Sequence, residues 1–276
     1  MPRRSAPTRR RSTTNSSLFP PKTTEVQFDE KWAYVGKKQA HCAPDERKKG
    51  DNWDHVAFDP VHRLVVSFVP GKRDEAHAHH LVEDFHRRTE GRPMDLITSD
   101  GYKPYKSAVL QAYGEEFTPP RPPGRGRPPK ARLVAPEGLL YATVEKTRRK
   151  GRVTAVAVRL IFGALEALMR ALAGSPVSKK VNTAFVERAN ATSRLFNARK
   201  ARKTYRFSKD WDIHEGMGWF EIGVYNFCWA VKTLTLIASN ETRTKRSPAL
   251  AAGLTDHVWT LEEWVKFPAA VPLDSG

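Results

Sequence analysis

The feature that most constrains the fold is how hydrophobic periodicity changes along the N-terminal part of the chain. Residues 26–34, 53–59 and 63–69 alternate apolar and polar side chains as strands do. Residues 74–89 carry the apolar stripe of a helix, and residues 94–98 are a short apolar segment typical of a central strand. The first three segments predict an antiparallel meander. The order as a whole predicts an α/β fold with a mixed sheet flanked by helices.

The chain then changes character. A helix is expected over residues 104–113, where a proline can occupy the first turn. Residues 118–132 are too rich in proline to form a packed element. Residues 139–146 and 152–162 bracket a basic turn, which predicts a β-hairpin. We therefore interpret residues 117–179 as a proline-rich and hairpin insertion into the main fold.

The two ends of the chain differ from its middle. Residues 1–24 are rich in Arg, Ser, Thr and Pro and contain no acidic residue, which predicts a disordered basic arm. Residues 25–237 are expected to form one domain, whose last helix would span residues 219–237. Residues 238–276 are expected to be a loosely packed C-terminal tail.

Three acidic residues occupy positions that such a fold could bring together. Asp29 lies on the first strand and points away from its apolar side, which Glu30 interrupts. Asp100 ends the fourth strand. Glu187 lies on a helix that begins near Asn182, opposite an apolar face of five residues. That face consists of Val181, Phe185, Ala189, Thr192 and Phe196.

Clustered carboxylates repel one another unless cations neutralise them, and hard oxygen ligands suit Mg²⁺ or Mn²⁺. A strand Asp, a strand-end Asp and a helix Glu, in this order, are the metal triad of RNase H-like polynucleotidyl transferases. The pattern predicts that Asp29, Asp100 and Glu187 hold two Mg²⁺ (or Mn²⁺) ions for an in-line displacement. Each acid could also be an ordinary turn or solvated residue. Four others could fill similar places: Asp54, Asp59, Asp95 and Glu166.

Short motifs spread over roughly residues 25–230 resemble those of IS1-type insertion-sequence transposases. They are Phe28-Asp29-Glu30-Lys31-Trp32, Trp53 to Pro60, Pro70-Gly71-Lys72-Arg73, Thr98 to Tyr102, Asn182 to Asn190 and Lys203 to Lys209. The resemblance implies an RNase H-like DDE transposase with Asp29, Asp100 and Glu187 as its triad. Such an enzyme cleaves DNA at the ends of an insertion element and joins them to target DNA. It would act as a homo-oligomer on DNA.

The sequence departs from that family in one respect. These transposases usually carry an N-terminal cysteine-based zinc module and a helix-turn-helix, which residues 1–24 cannot form. Cys42 and Cys228, the only cysteines, lie too far apart for such a module. Either the reading frame is truncated, or a separate polypeptide recognises the element ends. The alternatives are a non-catalytic remnant that binds DNA and an RNase H-like nuclease or resolvase that cleaves without joining.

The formal charge of +17 favours polyanionic partners. Arg125, Arg127 and Lys130 lie in a segment that resembles an AT-hook, although a solubilising proline-rich linker would have the same composition. A second basic group follows Glu187 and is expected to contact phosphates, unless it is only a solvated charged surface. Its members are Arg188, Arg194, Arg199, Lys200, Arg202 and Lys203.

Other classes of site are disfavoured. His77, His79 and His80 cannot all face one ion on a helix, so we expect them on a solvated face. Gly-rich phosphate loops and nucleotide-cofactor fingerprints are absent from the sequence. The sequence contains no apolar run long enough to span a bilayer and no signal peptide. These observations predict a cytoplasmic, nucleoid-associated protein without a membrane partner.

Overall fold

The computed structural model describes residues 23–120, 129–239 and 241–267. Its strands are β1 (Glu25–Val35), β2 (Gly50–Asp59), β3 (Leu64–Gly71), β4 (Leu96–Asp100), β5 (Glu115–Phe117), β6 (Arg132–Val134), β7 (Tyr141–Arg149), β8 (Arg152–Phe162), β9 (Leu236–Ile237) and β10 (Arg243–Thr244). Its α-helices are α1 (Glu75–Arg88), α2 (Pro104–Tyr113), α3 (Leu165–Gly174), α4 (Ala184–Phe196), α5 (Trp211–Gly223), α6 (Pro248–Ala251) and α7 (Leu261–Lys266). Within these described residues, no helix is both long and apolar enough to cross a membrane.

A six-stranded mixed sheet in the order β3-β2-β1-β4-β7-β8 organises the molecule. The expected antiparallel meander of β1, β2 and β3 is confirmed. β4 pairs in parallel with both β1 and β7, and β8 closes the far side in antiparallel pairing with β7. A chain that returns in parallel beside β1 needs a crossover, which β2, β3 and α1 provide.

Helices cover both faces of the sheet, because alternate side chains of β1 point in opposite directions. On one face, Phe28 packs against Phe85 of α1 and Tyr105 of α2, with ring centroids 5.6 Å apart in each pair. On the other face, Val186 of α4 is buried in a cluster with strands β2 and β3. Helix α3 packs beside it through Leu168, against β4 and β7.

The segment that we expected to be an insertion contributes to the main sheet. The predicted hairpin forms as β7 and β8, joined by a basic turn at Lys150 and Gly151. However, β7 pairs with β4 from Ile97 to Asp100 and buries its apolar residues. The separate pair of strands β5 and β6 flanks the proline-rich segment. The sequence did not distinguish an inserted hairpin from a strand of the main sheet. A strand that follows a long irregular segment has the same local apolar pattern in both.

The C-terminal region also differs from expectation. Residues 219–237 are helical only in their first part, since α5 spans Trp211–Gly223 and a π-helical turn continues it to Cys228, whereas Leu236 and Ile237 form a short strand. Asp210 caps its start by accepting a hydrogen bond from the amide of Ile213. Trp264 of α7 packs directly on Gly223, where a side chain would clash. The described part of the tail is therefore packed on the domain, whereas the sequence predicted a loosely packed tail.

Candidate active site

A cluster of carboxylates lies where strands β1 and β4 diverge. Their parallel pairing runs from Glu25 opposite Leu96 to Phe28 opposite Ser99. The next residues along the two strands are Asp29 and Asp100, so the register alone brings these acids to the same level of the sheet. Ligand atoms of Asp29, Glu30 and Asp100 all lie within 4.8 Å of one another, and together they could hold a metal ion. We call these three residues the carboxylate cluster.

Burial and mutual repulsion make this cluster costly to ionise. Burial, together with the charges of Glu30 and Asp100, raises the pKa of Asp29 to about 7. Burial and the charge of Glu30 likewise raise the pKa of Asp100 to about 6. The side chain of Asn190 opposes this trend by donating a hydrogen bond to Asp29 Oδ2 at 2.7 Å. A divalent cation would relieve the same repulsion, because it favours the ionised carboxylates.

Glu187 lies beside the carboxylate cluster but is not one of the three residues whose ligand atoms meet. Its negative charge contributes to raising the pKa values of both Asp29 and Asp100. Its Oε1 atom accepts a hydrogen bond from Thr183 at 2.6 Å and contacts the amino group of Lys146. The side chain is exposed. The structure thus brings two of the three predicted acids together and leaves the third at the rim, paired with a lysine.

The face that α4 buries is only partly the predicted one. Phe185 and Ala189 pack against the cluster as expected, but the buried residues of the helix are Val186 and Asn190, and Phe196 is 36% exposed. Polar contacts with β1 determine this orientation: Gln27 Oε1 accepts a hydrogen bond from the amide of Val186, and Asn190 reaches Asp29. Apolar periodicity did not reveal this face because half of what it buries is polar.

Glu30 and Arg73 belong to the site but were missed as functional residues. Arg73 Nε donates a hydrogen bond to Glu30 Oε1 at 2.7 Å, and its guanidinium lies 3.9 Å from Asp100 Oδ2. Arg73 also lies over the rings of Trp53 and Tyr102. Both residues lie within motifs that carry the family resemblance. Glu30 also interrupts the apolar side of β1, which was an available signal.

A second group of charged side chains is fully buried between the sheet and helices α4 and α5. Lys200 Nζ lies 2.7 Å and Lys31 Nζ 3.4 Å from Asp54 Oδ2. Both lysines also approach Glu221, at 3.9 Å and 3.8 Å respectively. His214 Nε2 lies 3.6 Å from Asp54 Oδ1. We call these five residues the buried ion-pair cluster.

Lys200 was therefore wrongly predicted to be a DNA contact, since it is 3% exposed. The local run of basic residues does not reveal that the side chain of Lys200 is buried against Asp54 of β2. Arg188, Arg202 and Lys203 are exposed, and Arg194 and Arg199 are partly exposed, so these five can still face a ligand. Lys130 is exposed, whereas Arg125 and Arg127 lie outside the described residues.

The α1 histidines were predicted to lie on a solvated face, but only His80 is exposed, and His77 and His79 are partly buried. His77 Nδ1 lies 2.6 Å from Asp74, the residue that caps α1. His79 Nε2 lies 3.0 Å from Ser107 on α2. The two rings therefore have separate partners. Within residues 23–120, 129–239 and 241–267, the carboxylate cluster is the one group of three or more potential ligand side chains close enough to share an ion.

A comparison of the sequence with models of known protein families gives no match, and a search among curated proteins finds no similar sequence. Function is therefore inferred from the carboxylate cluster, from the sheet topology and from the short sequence motifs.

Proposed function

We propose that the protein is a metal-dependent polynucleotidyl transferase of RNase H-like fold that acts on DNA as an insertion-sequence transposase of the IS1 type. The observation that carries this proposal is the register that brings Asp29, in the middle of β1, beside Asp100, the last residue of the parallel strand β4. The sheet order, with an antiparallel meander followed by parallel strands, is compatible with that fold. The ordered motifs add the transposase assignment.

The donor set fits Mg²⁺ or Mn²⁺. Three carboxylates supply hard oxygen ligands, and ligand atoms within 4.8 Å of one another can share an ion. Burial and the neighbouring acids raise the pKa values of Asp29 and Asp100, and a bound divalent cation would offset that cost. Two divalent cations, when bound, would supply charge neutralisation and activation of the attacking hydroxyl in an in-line displacement.

The surrounding residues have separate roles in this proposal. Asn190 holds Asp29 in one orientation through its hydrogen bond. Glu187 would exchange its contact with Lys146 for a place in the metal site, while Thr183 keeps its carboxylate near the rim. Arg188 lies next to Glu187 on the exposed side of α4, where it can contact a phosphate of the DNA.

Strand transfer is the experiment that tests this function. Full-length protein is mixed with Mg²⁺, labelled pre-cleaved DNA ends of the surrounding genomic element and a supercoiled target plasmid. Asp100→Asn removes one charged ligand and is expected to lower joining about 10³-fold or more, because metal-assisted stabilisation is worth several kcal/mol. Asp95→Asn, at an exposed position five residues upstream, is the matched control and is expected to act like the parent.

The products distinguish the alternatives. Joined DNA that is lost in Asp100→Asn and retained in Asp95→Asn supports a transposase. Metal-dependent cleavage without joined product indicates a nuclease or resolvase instead. DNA binding with neither cleavage nor joining indicates a non-catalytic remnant, and in that case the carboxylate cluster has no chemical role.

A further inference from the structure

A groove lies between the end of α4, the following loop and α5, away from the carboxylate cluster. It has a volume of about 480 Å³. Its main lining side chains are aromatic, apolar or cationic, and none of the residues that line it is acidic. They include Phe196, Arg199, Tyr205, Arg206, Lys209 and Met217. We call it the α4–α5 groove. Its size lies within the range of ligand sites.

Tyr205 is the unusual residue of this groove. Its side chain is 96% exposed, although a tyrosine ring of this size normally buries part of its apolar surface. Phe207, two residues later, differs, because it packs against Tyr34 with ring centroids 4.4 Å apart and lies beneath the amino group of Lys209. The loop therefore has one aromatic residue fixed against β1 and another presented to solvent.

The loop that carries Tyr205 is held at both ends. At its start, Lys200 is fixed by its ion pair with Asp54. At its end, the carbonyl of Ser208 accepts a hydrogen bond from the amide of Gly36 at 2.8 Å, and the Ser208 hydroxyl lies 3.0 Å from His214 Nδ1. These contacts fix the two ends of the segment 201–207. Ordering of a binding loop before ligand arrives lowers the entropic cost of binding.

We propose that the α4–α5 groove binds unpaired DNA, with a nucleobase stacked on Tyr205 and neighbouring phosphates on Arg199, Arg206 and Lys209. Positive groove walls with exposed aromatic rings are how proteins bind single strands, because every base has a face that can stack. The absence of acidic lining residues favours a polyanion over a protein partner of mixed charge. A duplex would use the cations but not the ring, since its bases are already stacked.

The location fits DNA that also reaches the active site. Phe196 follows Glu187 by nine positions on α4, which corresponds to roughly 14 Å along a helix. This inference rests on the proposed function in so far as it takes the ligand to be DNA. An unpaired strand that leaves the carboxylate cluster could therefore enter the groove within a few nucleotides.

Binding is measured by fluorescence anisotropy with the full-length protein in EDTA, so that no cleavage occurs. The probes are a labelled single strand of mixed sequence and the corresponding blunt duplex. Tyr205→Ala is expected to weaken single-strand binding about 5- to 140-fold per stacked base and to leave duplex binding within about twofold. Tyr205→Phe, which keeps the ring, should bind like the parent. Phe267→Ala removes an exposed ring on α7's C-terminal side and serves as the matched control.

Salt dependence separates stacking from charge. Tyr205→Ala should leave the slope of log K against log salt unchanged, whereas Arg206→Ala should reduce its magnitude by about 0.7 for each phosphate lost on a single strand. Because Tyr205 is almost fully exposed, its replacement should not alter the melting temperature, and unfolding would be visible by circular dichroism.

The inference is overturned if Tyr205→Ala weakens both probes equally, if it weakens neither, or if the parent binds no DNA. It is also overturned if the variant loses only self-association, which would make the groove a protein interface. If single-strand binding depends on Tyr205 but the protein never cuts or joins DNA, the inference about the groove holds and the proposed function is wrong. If the protein joins DNA in a metal-dependent way but Tyr205→Ala has no effect on single-strand binding, the proposed function holds and the inference about the groove is wrong.

Discussion

The buried ion-pair cluster and the carboxylate cluster differ in how their acidic side chains are neutralised. In the buried ion-pair cluster, burial alone would raise the pKa of Asp54, but the charges of Lys200 and Lys31 outweigh it and hold that pKa well below its usual range. In the carboxylate cluster, Asp29 and Asp100 have raised pKa values although they are less buried. The difference lies in the protein's own countercharges.

This comparison indicates which acids are structural and which await a ligand. A carboxylate that the chain neutralises with its own lysines is part of the scaffold. Carboxylates that repel one another without a countercharge from the chain are costly unless a cation from outside the chain binds to them. Glu30 is intermediate, because Arg73 neutralises it while its carboxylate still faces Asp29 and Asp100.

The largest effect is expected from a substitution in the buried ion-pair cluster. Lys200→Met leaves Asp54 and Glu221 with one cation fewer in a buried environment, and it should lower the free energy of unfolding by about 3–5 kcal/mol. Lys203→Met, in the exposed loop that follows, should change it by no more than about 0.5 kcal/mol. Urea denaturation followed by fluorescence measures both. Equal stability of the two variants would contradict the scaffold role of the cluster.

A smaller effect is expected from metal binding to the carboxylate cluster. Asp29 and Asp100 have pKa values in the folded protein above the ordinary value of 3.8. Between the ordinary pKa and the raised one, these two groups bind more protons in the folded state than in the unfolded state. Their contribution to metal-free stability should therefore fall as the pH rises from about 4 to about 7. Saturating Mg²⁺ should reverse this loss above pH 7, by about 2.7 kcal/mol at one hundred times its dissociation constant.

Thermal unfolding between pH 4 and pH 8, with EDTA or Mg²⁺, measures this effect. Asp29→Asn is the matched variant, because it removes a titrating group and keeps the shape of the side chain. It should flatten the pH dependence and weaken the Mg²⁺ response. An identical pH dependence of the parent and Asp29→Asn in EDTA would show that the cluster is neutralised in some other way.

The smallest effect is expected at Arg73, which neutralises Glu30 and lies 3.9 Å from Asp100 in the carboxylate cluster. Arg73→Met removes the partner of Glu30, and it should destabilise the metal-free protein by about 1 kcal/mol because the guanidinium is partly exposed. The same variant should bind Mg²⁺ more tightly, since one cation near Asp100 is lost. Calorimetric titration with Mg²⁺ tests this. Weaker binding in Arg73→Met would place Arg73 among the residues that support the metal site.

The strands and helices around the site were largely predictable from the sequence. The alternation in β1, β2 and β3, the Asp74 cap of α1 and the proline at the start of α2 are local signals that the structure follows. The role of β7 as a central strand was not predictable, because pairing with β4 is a contact between distant residues. The packing of Trp264 on Gly223 is likewise a contact between distant residues.

The site was predictable in part. Asp29 stands out because it points away from the apolar side of its strand, and Asp100 because it ends a short apolar strand; the register places them together. The pairing of Glu187 with Lys146 and the burial of Lys200 depend on side chains that other elements contribute. Sequence position alone cannot tell a lysine that faces solvent from one that meets an aspartate across the fold.

The parallel pairing of β1 with β4 also has a consequence for folding. Asp29 and Asp100 are about seventy residues apart in the chain, so the contact between their strands closes a long loop and is slow to form compared with the local hairpin of β2 and β3. A nascent domain with only the meander in place carries Asp29 and Glu30 without Asp100. The part of the electrostatic penalty that Asp100 adds therefore arises only when β4 pairs with β1.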